Sequence, residues 1–251
     1  MNNWFDLEGK VALITGGTRG IGFSLAKNLA ELGVDIAVIG YSSDETEIKE
    51  LVESFGRKFL FLQINLLSRN ERKKIIEKVV TNFGTLDILI NNAGRQYNAP
   101  ASSYELETWD QDIELMLTAV LDLSQQAYEV MKNRGGKIIH IASISSFQGA
   151  RNIIGYTTAK HGLIGMTKSM SNEWAKENIN INAIAPGIIE TDMSQATTED
   201  SEHAKVLKSR IPSGRFGKPE DLVGAVVFLS SQASCHVNGS VITVDGGWLG
   251  R

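Results

Sequence analysis

Tyr156 and Lys160 stand four residues apart in Gly155-Tyr156-Thr157-Thr158-Ala159-Lys160, a stretch that reads as helix, so both side chains leave one face and can meet. An ammonium beside a phenol favours the phenolate, which predicts a tyrosine that exchanges protons below its ordinary pKa of ~10. That is the chemistry of a general acid and base. The pair alone equally describes a core tyrosine beside a solvated lysine, so its neighbours must decide. Ser143 precedes Tyr156 by thirteen positions, near enough for a short loop to return its hydroxyl to the phenol. Far upstream, Gly16-Gly17-Thr18-Arg19-Gly20-Ile21-Gly22 lies between an apolar run at residues 10–15 and a helical pattern at 23–32. A helix starting there turns its free N–H groups and positive dipole end toward the turn. Glycines then let a pyrophosphate approach with no Cβ in the way. The spacing is Gly-x-x-x-Gly-x-Gly, so it shares the mechanism but not the pattern of the commonest dinucleotide fingerprint.

The elements that position these groups alternate without a compositional break. Strands are expected at residues 35–39, 58–64, 86–90, 137–142, 180–185 and 240–244. Helices are expected at 45–55, 69–83, 104–132, 155–177 and from Pro219 onward, where proline suits a first helical position and Glu220 and Asp221 suit the first turn. Strands separated by helices imply parallel pairing and helices on both faces: a single α/β domain over residues 1–251, doubly wound, with seven strands. In such a sheet the ligand lies at the carboxyl ends of the strands, and the motifs fall there. The glycine turn follows the first strand, Asn91-Asn92-Ala93-Gly94 the fourth, Ser143 the fifth and Pro186-Gly187 the sixth. Residues 193–210 break the rhythm, rich in Thr, Ser, Glu and Lys with few apolar anchors, and read as a flap over the site.

Composition narrows the partners. One cysteine, Cys235, excludes an internal disulfide and suits a reducing compartment, the cytoplasm by default. No stretch has the length and apolarity of a membrane span, so no membrane is expected, and the net charge of −4 with scattered Lys and Arg gives no footprint for nucleic acid.

Taken together, Thr15-Gly-Gly-Thr-Arg-Gly-Ile-Gly22, Asn91-Asn-Ala-Gly94, Ser143, Tyr156-x-x-x-Lys160 and Pro186-Gly187-x-x-x-Thr191 resemble the short-chain dehydrogenase/reductase family along the whole chain. The resemblance implies hydride transfer between a secondary alcohol carbon and a nicotinamide. Tyr156 would exchange the hydroxyl proton, Ser143 would hold the substrate oxygen, and Lys160 would hold the nicotinamide ribose and lower the tyrosine pKa. It places Gly16, Thr18, Arg19 and Ile21 at the pyrophosphate or adenosine end, Asn65 at the adenine, Asn91 by the adenosine ribose, and Ile189 and Thr191 at the carboxamide. Three positions depart from the family pattern. Met116 stands where an asparagine usually serves the proton relay, and a thioether is a weak acceptor. Asn65 replaces an aspartate. Gly40-Tyr41-Ser42-Ser43 replaces the acidic residue that would bind a ribose diol. The cofactor is therefore NAD(H) or NADP(H), with Arg19 suited to a 2′-phosphate.

At finer grain, Ile141-Ala-Ser-Ile-Ser-Ser-Phe-Gln-Gly149, Asn180-Ile-Asn-Ala-Ile-Ala-Pro-Gly187 and Val244-Asp-Gly-Gly-Trp-Leu-Gly-Arg251 resemble the 2-dehydro-3-deoxy-D-gluconate 5-dehydrogenases, also filed as 2-deoxy-D-gluconate 3-dehydrogenases, and the gluconate 5-dehydrogenases. A keto sugar acid carries a carboxylate, for which Arg95 and Arg151 are the expected cations and Gln148 a polar contact. The competing readings are a 3-oxoacyl-carrier-protein reductase and a cofactor-binding regulator without catalysis. The apolar C-terminal end and the long helices resemble the surfaces by which the family forms homotetramers.

Overall fold

The strand segments are apolar almost without interruption, as strands covered on both faces must be. The structure, a computed structural model, describes residues 3–41, 44–198 and 202–251, so Ser42, Ser43 and residues 199–201 of the expected flap lie outside the described residues. The strands β1 (Val11–Thr15), β2 (Asp35–Gly40), β3 (Phe59–Gln63), β4 (Ile88–Asn91), β5 (Gly136–Ile141), β6 (Ile179–Pro186) and β7 (Val241–Val244) form one parallel sheet in the order β3-β2-β1-β4-β5-β6-β7. The order reverses beside β1, so a crevice opens where β1 and β4 diverge from their following helices.

Alternate residues of each strand feed two cores. Ala12 and Ile14 of β1 pack with Leu25, Ala26 and Leu29 of α1 (Gly20–Glu31), Ile48 and Val52 of α2 (Thr46–Ser54) and Val226 and Leu229 of α10 (Val223–Ser230). Val11 and Leu13 face the other side, packing with α4 (Ile75–Phe83), α6 (Ala119–Met131) and α7 (Ile154–Trp174), while α3 (Arg69–Arg72) lies against α6 and α5 (Leu106–Ile113) against α7. Pro219 does open a helical turn, with Glu220 and Asp221 in it, which leads directly into α10.

Two expected helices are interrupted. The span 69–83 breaks between α3 and α4, where Arg72 is drawn into the interior to meet Glu114 at 2.7 Å and Asp122 at 2.8 Å. The span 104–132 holds a π-helical turn, Glu114–Thr118, between α5 and α6, and Met116 lies buried in it. Such turns are uncommon and gather at functional sites.

The segment expected to be a flap is better anchored than its composition suggested. Of α8 (Gln195–Thr198) and α9 (Glu202–Ser209), the latter buries Ala204 in a small core with Ile211, Phe216, Trp248 and Ile144, the residue after Ser143. This places α9 against the loop that carries Ser143.

Candidate active site

The glycine turn is built for close backbone approach. Gly16 and Gly20 have positive φ, and a Cβ on Gly22 would stand 2.1 Å from the Gly16 carbonyl oxygen. Arg19, extended at the N-cap of α1, makes no side-chain cap, so the first N–H groups of that helix face the turn unclaimed by a side chain. The turn is fastened to β4 from the other side of the crevice. Thr15 Oγ1 accepts from Asn92 N and Ala93 N at 2.9 Å each, and Asn92 Nδ2 donates to the carbonyls of Thr15 and Gly16. Thr15 and Asn92 were in the motifs, but their role as a brace came only from the register of neighbouring strands. Thr191, after β6, completes the enclosure: its Cγ2 would lie 3.5 Å from a Cβ on Gly20, and Ser194 holds its backbone. A turn with this shape, this open helix end and no Cβ in the way fits a dinucleotide pyrophosphate.

Tyr156 and Lys160 leave the same face of α7, with the ammonium 5.6 Å from the centre of the phenol ring. Lys160 is buried and its Nζ donates to the Ile141 carbonyl at 2.6 Å, which pins α7 to the end of β5. Ser143 Oγ accepts from Ser145 N, which leaves its own O–H available as a donor. It acts on the phenol and favours the phenolate, without a bond of ordinary length joining the two among the described residues.

The charge balance corrects one expectation. Burial raises the Tyr156 pKa and outweighs the downward pull of Ser143, and Lys160 is not among the groups that lower it. Lys160 is itself depressed to about 8 by burial, which weakens the ammonium as a source of positive potential. Below Lys160, His140 is fully buried and held near 3 by burial and by the Lys160 charge, so it is neutral. Thr167 spends its hydroxyl proton on the Leu163 carbonyl at 2.7 Å and therefore accepts from His140 Nδ1 at 2.9 Å, which leaves Nε2 as the unprotonated nitrogen.

The remaining expected residues divide. Arg151 is exposed in the loop before α7, with no ion pair among the described residues, and Gln148 is half-buried in the same loop. Arg95 is committed elsewhere: its Nε donates to Asp112 Oδ1 at 2.7 Å, and its other nitrogens to Gln111 Oε1 and the Thr108 carbonyl. Asp112 is a fully buried carboxylate that also accepts from the Tyr104 hydroxyl, so Arg95 serves as its counter-charge. Asn91 is buried, with Nδ2 3.4 Å from Ser124 Oγ and Oδ1 without a hydrogen-bond partner among the described residues. Asn65 Oδ1 accepts from Leu67 N and keeps one lone pair. Ile189 is buried, bridged to Gly217. Arg19 is 81 % exposed, 4.0 Å from Asp192, and the last residue of β2 is Gly40, with no carboxylate, where a Cβ would meet Thr18 and Phe61. Met116 Sδ would stand 3.6 Å from a Cβ on Gly94 and Lys160 Nζ 3.9 Å, so the thioether occupies the space beside the lysine.

The family model described as Enoyl-(Acyl carrier protein) reductase matches residues 16–249. The chain belongs to the short-chain dehydrogenase/reductase family. Within the family, a 2-dehydro-3-deoxy-D-gluconate 5-dehydrogenase of Escherichia coli (strain K12) is 44% identical over 249 residues, 98% of each chain. One from Dickeya dadantii (strain 3937) is 43% identical over 251 residues, 99% of each. The crystal structure of a gluconate 5-dehydrogenase from Burkholderia cenocepacia J2315 in complex with NADP and tartrate superposes with a TM-score of 0.94 at 33% identity, covering 99% of this chain and 98% of that one. Among the described residues no helix is long and apolar enough to cross a membrane, and no group of His, Cys, Asp and Glu is arranged to hold a metal ion.

Proposed function

We propose that the protein interconverts a keto sugar acid and its hydroxy form with a nicotinamide cofactor, the 2-keto-3-deoxygluconate and 2,5-diketo-3-deoxygluconate pair being the substrates its relatives' names point to. The observation that carries this reading is the meeting of Ser143, Tyr156 and Lys160 at the carboxyl end of β5, across the crevice from the glycine turn. The cofactor would lie along Gly16, Thr18, Arg19 and Ile21 with its nicotinamide toward Ile189 and Thr191, and when bound it supplies or takes the hydride. In reduction, Ser143 O–H donates to the substrate oxygen and Tyr156 gives that oxygen its proton as the C–H bond forms. In oxidation the same proton returns to the phenolate. A phenol whose pKa is raised is protonated at neutral pH, which suits the reducing direction. Arg151 and Gln148 stand in the loop between Ser143 and Tyr156, where a sugar carboxylate would be met, and tartrate in the Burkholderia enzyme is a polyhydroxy acid of the same class. The absent carboxylate at Gly40 and the exposed Arg19 favour NADP(H).

The deciding assay follows oxidation of NADH and NADPH with 2,5-diketo-3-deoxygluconate, 5-ketogluconate and a 3-oxoacyl thioester. Turnover is expected with a keto sugar acid, faster with NADPH, and Tyr156→Phe should abolish it while cofactor binding persists. Activity confined to the thioester would replace the sugar-acid reading with that of a carrier-protein reductase, and near-normal turnover by Tyr156→Phe would remove the tyrosine from the chemistry. We also read the chain as a homotetramer, because β7 is an edge strand with half-exposed Val241, Ile242 and Val244; a monomer by light scattering excludes this.

A further inference from the structure

A second cavity, of about 550 Å³, opens at the amino ends of the strands, opposite the crevice. Its wall includes Lys10 before β1, Asp87 before β4, Arg134 and Lys137 around the start of β5, and Ser230 and His236. The rim is shaped backbone: Gly135 and Asn178 both have positive φ, and a Cβ on Gly135 would come within 2.9 Å of the Asn178 carbonyl oxygen. Three basic side chains face one carboxylate there, in a chain whose net charge is −4. Asp87 is already shared, its Oδ2 accepting from Val11 N at 3.0 Å and its Oδ1 lying 3.6 Å from Lys10 Nζ and 3.4 Å from an Arg134 nitrogen. Lys137 has no carboxylate of its own among the described residues. It is 8% exposed, and its Nζ donates only to neutral oxygens, Asn180 Oδ1 at 2.8 Å and Ser234 Oγ at 3.4 Å. Ser230 Oγ, also in the wall, is buried with no hydrogen-bond partner.

A buried ammonium without a counter-charge and a buried hydroxyl without a partner each cost free energy that a ligand can recover. We propose that this cavity binds a small polyanion, a tricarboxylate or a phosphate, with Lys137 and Ser230 at its floor and Lys10 and Arg134 at its mouth. The volume exceeds what one water or halide needs, and three basic side chains against one carboxylate favour a multivalent oxyanion. The site is separate from catalysis: β5 runs six residues from it toward Ser143, roughly 20 Å at strand rise.

The test uses the full chain in chloride buffer at constant ionic strength, titrated calorimetrically with citrate and with inorganic phosphate. Cys235, the chain's one cysteine, is exposed and lines the cavity, so its alkylation by iodoacetamide reports locally on occupancy. Saturable binding of either anion is expected, together with slowed alkylation, and which anion binds identifies the source as carboxylate or phosphate. Lys137→Met and Arg134→Gln should each weaken it about tenfold, the worth of one charge-assisted hydrogen bond, and Tyr156→Phe should leave it unchanged. Absence of saturable binding by both anions overturns the proposal, as does binding that Arg134→Gln leaves intact or that does not slow alkylation. If Lys137→Met does not fold, Arg134→Gln, at an exposed position, still decides.

Discussion

Two arginines that look alike in the sequence have opposite fates in the fold, and substituting each to alanine separates them. Arg151 is exposed and unpaired among the described residues, so its removal costs the fold little. If it meets the substrate carboxylate, Arg151→Ala should raise KM for a keto sugar acid about tenfold or more, the loss of a charged hydrogen bond, with an unchanged unfolding midpoint. Arg95 is the counter-charge of a carboxylate with no exposure, so Arg95→Ala should destabilise the protein by about 3–5 kcal/mol. Asp112 also lies where a Cβ on Gly155 would be, 2.2 Å from its Oδ2, so the same loss loosens the turn before Tyr156 and lowers kcat. Urea unfolding and steady-state kinetics on both variants check this pair. A stable Arg95→Ala enzyme with a raised KM alone would return Arg95 to the substrate, and an unaltered KM in Arg151→Ala would withdraw that residue. Both side chains follow a strand end, and nothing local tells which of them a buried aspartate seventeen residues away will claim.

At the scale of elements, what was legible is what the local chain dictates. Continuous apolar runs marked the strands, glycines marked the cradle, and the i, i+4 spacing put Tyr156 and Lys160 on one face of α7. The interruptions were illegible because distant residues impose them. Residues 69–83 carry an acceptable helical pattern, and the chain breaks it so that Arg72 can reach the Leu66 carbonyl, Glu114 and Asp122 from the interior. Burial would push the Glu114 carboxyl up, but hydrogen bonds from Arg69 and Arg72 hold it below its ordinary value. Glu114 is also the first residue of the π turn, so the same ionic cluster that breaks one helix anchors the widened turn of the next. Met116 then lies inward beside Gly94 and Lys160. The departure at this position therefore puts a thioether on the π turn where the family resemblance implies an asparagine. The anchoring of residues 202–209 was illegible for a related reason: Ala204 gives little apolar signal, yet it seats α9 on Ile144 and so near Ser143.

Across the whole molecule, both ends of the sheet bury a lysine, Lys160 at the carboxyl ends and Lys137 at the amino ends, and burial holds each near 8. Unfolding returns each to its ordinary 10.5, so between pH 8 and 10.5 the unfolded chain binds more protons than the folded one, and stability rises with pH there. Below pH 8 both ammonium groups are buried at full cost, about 3 kcal/mol each. The tyrosines act in the opposite sense. Burial, with the hydrogen bond to Asp112, raises Tyr104 to about 12, and its stabilising contribution is present below pH 10 and lost as pH climbs through 12. Stability should therefore increase from pH 7.5 to a maximum close to 10 and then fall, as urea unfolding at a series of pH values would show. Lys137→Met should be flatter than the parent by one lysine's share over pH 8–10. Saturating citrate or phosphate should flatten the parent in the same way, because an anion in the lower cavity restores the Lys137 charge and lifts its folded pKa toward the unfolded value. A parent profile without a rise between pH 8 and 10 would mean that water reaches both amines. A rise that Lys137→Met leaves untouched would assign the whole effect to Lys160.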